Sequence, residues 1–275
     1  MQAAINGVRL HWREAGAGDP AVFIHGFPFR STMWGPQLEA VPHGWRFIAP
    51  DLRGYGNSEA GDLPYSMDLF ADDIIALLDR LEMEQAVICG LSMGGYIAFS
   101  LVHRYPHRVR ALVLAATRAN ADSVEARQSR YDLAARVRVH GAMAVVESML
   151  PKLVSGATRI HLPQVVDFVK NMMQTTNAEV MARTLEGMAA RADYRAILPG
   201  INMSAMVVRG DQDEIISRED MDLLARQVRG AKYEVVSNVG HLPNLEAPDV
   251  FNQMLQTFLR VLPPAIGIGD LTLRF

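Results

Sequence analysis

The chain has 275 residues, 49% hydrophobic and 21% charged, which suits one α/β domain with an insertion and a sizeable core. A formal net charge of -3 gives no electrostatic case for nucleic acid or an anionic membrane surface as partner, and no apolar run approaches the length of a membrane span. The single cysteine, Cys89, excludes an intrachain disulfide and a cysteine-built zinc site; with no apolar signal-type stretch in 1–18, cytoplasmic residence is the expectation.

Residues 3–5 and 8–12 alternate around Asn6-Gly7, the strongest short hairpin signal. A short apolar strand over 21–24 runs into His25-Gly26-Phe27-Pro28. Another over 46–49 runs into Asp51-Leu52-Arg53-Gly54-Tyr55-Gly56-Asn57-Ser58. From 66 to 81 the apolar residues Leu69, Phe70, Ile74, Leu77, Leu78 and Leu81 recur at helical spacing, with Ser66 as N-cap. An apolar strand then ends at Gly90-Leu91-Ser92-Met93-Gly94-Gly95, followed by a helix over 95–104 and a strand over 111–115. This alternation predicts an α/β fold with a mostly parallel central sheet flanked by helices.

The alternation breaks between 118 and 192. Helical stretches over 123–139, 143–149, 164–173 and 178–190 are separated by Gly141, Pro151, Gly156 and Pro163. Strands return at 205–208 and 232–236, with helices over 218–228 and 248–260. The expected division is a core of 1–117 and 193–262, a helical cap of 118–192, and a tail of 263–275. The tail's alternation suits an edge strand, a subunit contact or a disordered end alike. Neither an internal repeat nor a low-complexity segment is present.

The chemistry starts at Ser92. Gly90-x-Ser92-x-Gly94 between an apolar strand and a helix is the nucleophile-elbow pattern, in which a tight turn exposes the serine hydroxyl at the sheet's carboxyl edge. The same pattern also arises in glycine-rich turns of purely structural use. A serine nucleophile needs a base, and histidine is the usual one. Among the eight histidines, His241 lies between the last predicted strand and the last helix, on the edge where functional groups of a parallel sheet gather. The orienting acid is expected in Gly210-Asp211-Gln212-Asp213-Glu214. Asp213 is chosen, with Asp211 (as a turn-stabilising residue) and Glu214 as alternatives. The backbone N–H groups of Phe27 and Met93 are the candidate oxyanion donors. That leaves His25 as a residue shaping its loop, and Cys89 as an inert buried hydrophobe.

Taken in this order, His25-Gly26-Phe27-Pro28, Asp51 through Ser58, Gly90 through Gly95, Gly210-Asp211-Gln212-Asp213 and Gly240-His241 resemble the α/β-hydrolase superfamily, over residues 5 to about 262. The capped arrangement is similar to small bacterial carboxylesterases and to the 3-oxoadipate enol-lactonase group. The resemblance implies a catalytic triad of Ser92, Asp213 and His241, a small-molecule ester or lactone substrate, and no metal or organic cofactor. Haloalkane dehalogenases and epoxide hydrolases share the loop style but carry Asp at the elbow, so Ser92 argues for acyl transfer. Peracid formation, as in cofactor-free perhydrolases, and a non-catalytic ligand sensor are the remaining alternatives. Phe29, Trp34 and cap methionines such as Met143 are candidate pocket walls, although each would serve a core equally well. An anionic lactone would call for a cap arginine, for which Arg127, Arg130, Arg138 and Arg183 are candidates.

Overall fold

The computed structural model describes residues 1–62 and 64–263. The chain opens with a hairpin, β1 (Gln2–Ile5) and β2 (Val8–Gly16). Its turn residues Asn6 and Gly7 both take positive φ, 44° and 80°, the pairing that an Asn-Gly hairpin turn requires. After β3 (Asp19–Ile24), a short α1 (Gly35–Glu39) leads to β4 (Trp45–Pro50). Then α2 (Met67–Arg80) begins at Ser66, whose side chain accepts from Leu69 N at 3.0 Å, as the capping pattern predicts. The alternation continues through β5 (Ala86–Leu91), α3 (Met93–Arg104) and β6 (Val109–Ala115).

Five helices follow without a strand: α4 (Val124–His140), α5 (Met143–Leu153), α6 (Gly156–His161), α7 (Pro163–Gln174) and α8 (Ala178–Ala189). The chain then returns through β7 (Ser204–Gly210), α9 (Arg218–Gln227), β8 (Lys232–Val236), a one-turn α10 (Pro243–Glu246) and α11 (Pro248–Arg260). Two expectations for the insertion need correcting. Pro151 does not end its helix: α5 runs on to Leu153 with the proline inside its last turn. And Gly156 does not separate two helices but opens one of its own, 156–161, which Ser155 caps by accepting from Thr158 N at 3.0 Å. The expected tail, apart from residue 263, lies outside the described residues.

The eight strands form one sheet in the order β1-β2-β4-β3-β5-β6-β7-β8. Only β1–β2 and β2–β4 pair antiparallel; every pairing from β4 to β8 is parallel. β5 is buried along its whole length, as expected where helices cover both faces. Cys89 in its middle is sealed from solvent, and burial pushes its thiol well above the usual range, so it stays protonated and unreactive.

The insertion lies over the carboxyl ends of the strands. Thr176 donates to Pro28 O (2.9 Å), and Tyr55 donates to Thr184 Oγ1 (2.8 Å). A Cβ on Gly187 would strike the carbonyl of Tyr65, so α8 sits directly on the loop that leads into α2. The loops after β3 and β4 are therefore roofed by the insertion's last two helices.

Candidate active site

The elbow is built by glycine and held by strain. Ser92 joins β5 to α3 with φ 55° and ψ -112°, a conformation that L-residues seldom occupy and that costs on the order of 1–3 kcal/mol. A Cβ at Gly90 would strike the carbonyl of Gly94, and one at Gly94 would strike the carbonyl of Ile24. Substitution at either position would push strand, turn and helix apart. Hydrogen bonds lock the turn: Ser92 N donates to Ala115 O (2.9 Å), while Ser92 O accepts from Gly95 N (2.9 Å) and from Thr117 Oγ1 (2.8 Å). Leu91 and Met93 are buried, yet Ser92 between them is partly exposed. The turn thus presents one hydroxyl at the start of a helix.

His241 and Asp213 form a sealed pair. The imidazole Nδ1 lies 3.0 Å from Asp213 Oδ1 and 2.9 Å from Oδ2. The amides of Ile215 (2.8 Å) and Ile216 (3.1 Å) also donate to Oδ1. Burial works to raise the Asp213 carboxyl, but His241 and the two amides together outweigh it and hold the group below the usual carboxylate range. The carboxylate therefore stays ionised and fixes a proton on Nδ1, which leaves Nε2 with its lone pair. Nε2 has no hydrogen-bond partner among the described residues, Ser92 included. Of the two alternative acids, Asp211 faces solvent and accepts from Val239 N at 3.3 Å, the turn-stabilising use, and Glu214 is exposed.

The His25 loop lies against the elbow: a Cβ on Gly26 would come 3.4 Å from Ser92 Cβ. Among the described residues, the N–H groups of Phe27 and Met93 donate to no other group. Met93 N–H is also the first of α3, at the positive end of its dipole. His25 bridges two loops, with Nδ1 donating to Gly26 O (3.0 Å) and Nε2 accepting from Leu52 N (3.1 Å). Both nitrogens are occupied and only the neutral ring satisfies both bonds. Burial pushes its pKa down to about 4 against the opposing pull of Gly26 O and Asp51.

The pocket candidates separate. Phe29 and Trp34 are fully buried, and Trp34 packs on Phe23 and Phe251 (ring centroids 5.2 and 6.1 Å), which makes it core. Met143 is 41% exposed at the start of α5, with its sulfur accepting from Gln174 Nε2. Among the cap arginines, Arg130 pairs with Asp122, Arg138 with Glu179 and Glu186, and Arg183 with Glu179, while Arg127 is exposed. Two residues of this region carried no readable signal. Thr117 reaches the elbow only through the sheet's parallel register. Glu246, five residues beyond His241, turns inward from a one-turn helix that has no periodicity to detect.

The sequence profile described as alpha/beta hydrolase fold matches residues 19–248. The chain belongs to this family. It is 29% identical over 255 residues to the 3-oxoadipate enol-lactonase 2 of Acinetobacter baylyi, covering 92% of this chain and 94% of that protein. Among solved structures it is similar to a thermophilic esterase from Thermogutta terrifontis (34% identity, TM-score 0.93, 95% of this chain and 99% of that one). It is also similar to the enol-lactonase from Burkholderia xenovorans LB400 (30% identity, TM-score 0.88, 94% and 100%). The expected α/β-hydrolase fold with a helical insertion is thereby borne out. No helix among the described residues is long and apolar enough to cross a membrane.

Proposed function

We propose that this hydrolase cleaves small to medium carboxylic esters through an acyl-enzyme on Ser92. His241 Nε2 takes the Ser92 proton as Oγ attacks the ester carbonyl. The resulting oxyanion is held by the N–H groups of Phe27 and Met93, and His241 returns the proton to the departing alcohol. Water, deprotonated by the same imidazole, then releases the acid and restores the serine. Asp213 keeps the imidazole in the productive tautomer and stabilises its charged form. Residues 118–192 act as the cap that closes the substrate space over the core of 1–117 and 193–262. The observation that carries this reading is the strained serine at the head of α3 together with the buried His241–Asp213 pair.

The second reading is an enol-lactone hydrolase, favoured by the enol-lactonase relatives. Against it, three of the four candidate cap arginines already carry acidic partners, so they are poorly placed to anchor a substrate carboxylate. Treatment with a fluorophosphonate followed by peptide mass spectrometry should place the adduct on Ser92. Turnover of p-nitrophenyl acyl esters of graded length should exceed that of a carboxylated lactone. An adduct elsewhere, or ester cleavage undiminished in Ser92→Ala, would overturn the serine mechanism; a preference for the lactone would favour the second reading.

A further inference from the structure

Glu246 is a buried carboxylate, 6% exposed, with no basic partner among the described residues. Burying an ionised carboxyl without a counter-charge is costly unless dipoles replace its water. Here they do. Oε1 accepts from Gly240 N (3.0 Å) and Leu242 N (3.1 Å), and Oε2 accepts from Ser155 N (2.8 Å) and Thr158 Oγ1 (2.7 Å), with Gly240 N shared between the two oxygens (3.1 Å to Oε2). Two of these donors flank His241 in the chain, and the other two belong to the corner between α5 and α6.

The remaining amide of that three-residue segment, His241 N, donates to Leu153 O at 3.1 Å, at the same corner. Every backbone N–H from 240 to 242 is therefore anchored, two to Glu246 and one to the insertion. Ser155 Oγ adds a bond to Asn238 O (2.9 Å). A Cβ on Gly240 would come 2.7 Å from Ser155 N, so the two segments touch backbone to backbone. The base is carried by a loop joined to the insertion by two direct hydrogen bonds and by one carboxylate that accepts from both sides.

We propose that Glu246 is the positioning residue of the His241 loop and couples it to the 153–158 corner of the insertion. It touches neither substrate nor reacting atoms. It sets where the imidazole stands, so that movement of this corner moves the base. The proposal depends on His241 being the base of the reading above. Glutamine is the same shape but cannot accept on both sides: its NH2 must face either the two amides beside His241 or the Ser155–Thr158 pair.

The test compares Glu246→Gln and Thr158→Val with the intact protein, using ester turnover and the low-field proton NMR signal of His241 Nδ1–H. In Glu246→Gln, kcat should fall roughly 10- to 100-fold with KM within about twofold, the behaviour of a catalytic group displaced by a fraction of an ångström to about one. The Nδ1–H signal should shift or broaden. Thr158→Val loses one donor on the insertion side and should show the same split and the same spectral change, several-fold smaller. A cooperatively folded Glu246→Gln protein with wild-type kcat and an unchanged signal overturns the proposal, as does a rise in KM alone. If the glutamine variant does not melt cooperatively, Thr158→Val decides: unchanged kcat and signal overturn the coupling, and a lowered kcat at constant KM supports it. Turnover persisting in Ser92→Ala would remove the serine-hydrolase reading instead, and the Nδ1–H comparison would still decide the role of Glu246.

Discussion

The imidazole of His241 and the carboxylate of Asp213 meet at 2.9 Å with side chains only 2% and 1% exposed. Water cannot compete for this bond, so the carboxylate alone decides which ring nitrogen carries the proton. Asp213→Asn exploits that. The Asn oxygen would keep the amides of Ile215 and Ile216, which now donate to Oδ1, and its NH2 would then face Nδ1. Nδ1 must become an acceptor, which moves the proton to Nε2, where it blocks uptake from Ser92. The expected result is a fall in kcat on the order of 10⁴ with KM little changed. Steady-state kinetics on a p-nitrophenyl ester measure it, and a loss under tenfold would remove Asp213 from this role.

Strain at the elbow gives a prediction of opposite sign for stability. Ser92 holds φ 55° and ψ -112°, where a Cβ is unfavourable. Ser92→Ala keeps the Cβ and should abolish turnover without relieving the backbone. Ser92→Gly should abolish turnover equally and unfold at higher denaturant than Ser92→Ala, by about 1 kcal/mol, because glycine accepts positive φ freely. Urea melts of the two inactive variants compare them directly. Equal midpoints would mean that the turn is not strained.

How much of this was readable beforehand depends on the range of each interaction. Asn6-Gly7, the Ser66 cap and the Gly90–Gly95 turn are local, since a few neighbouring residues dictate the backbone, and the sequence exposed them directly. Asp213 and His241 were readable one level up, because a parallel sheet gathers its functional loops at one edge and their order along the chain selects them. Glu246 and Thr117 were not. Each acts on a partner that the sheet topology or a tertiary contact brings close, and neither lies in a pattern of its own. Trp34 and Met143 show the complementary limit: hydrophobic residues near the site carry no sign of whether they will face a cavity, the core or solvent. The Pro151 break misled because one missing amide near a helix end is readily tolerated where packing holds the last turn.

His25 predicts a pH window. Unfolded, its imidazole titrates near 6.5; folded, burial lowers this to about 4. Between those values the unfolded chain binds a proton that the folded chain refuses, so stability rises with pH. The contribution is complete above 6.5, declines as pH falls from 6.5 to 4, and is constant below 4. Its size is on the order of a few kcal/mol. Urea melts at pH 7, 5.5 and 4 should show the decline, and His25→Gln should be less stable at pH 7 but lose most of that slope. A variant with the full wild-type slope would assign the window to other groups.

Asp122 predicts what holds the two ends of the insertion together. It stands just before α4, its side chain fully buried, and meets Arg118 at 2.7 Å, Arg130 at 2.5 Å and Arg191 at 2.9 Å. Arg191, just beyond α8, also donates to Asn120 O (2.9 Å) and stacks its guanidinium over Tyr96, 4.3 Å from the ring centroid. Burial alone would raise the Asp122 carboxyl, but Arg191 and Arg130 overcome it and bring the pKa down to about 2. The folded value lies below the unfolded one, so the stabilisation is complete above about 3.8 and is lost as pH falls from there to 2. Asp122→Asn leaves three guanidinium groups around a neutral amide, two of them partly hydrated and Arg191 sealed in. Breaking a buried pair in this way costs roughly 3–5 kcal/mol. The variant should therefore unfold at markedly lower urea at pH 7 and show a shallower acid-side decline between pH 4 and 2 than the wild type, keeping the share that Asp213 and the other paired carboxylates contribute. Limited proteolysis should cut it first near 118–122 or 190–195, where the insertion joins the sheet. A variant that matches the wild type in midpoint and cleavage pattern would show that the neck is held by the packing of α4 on α8 and not by this carboxylate.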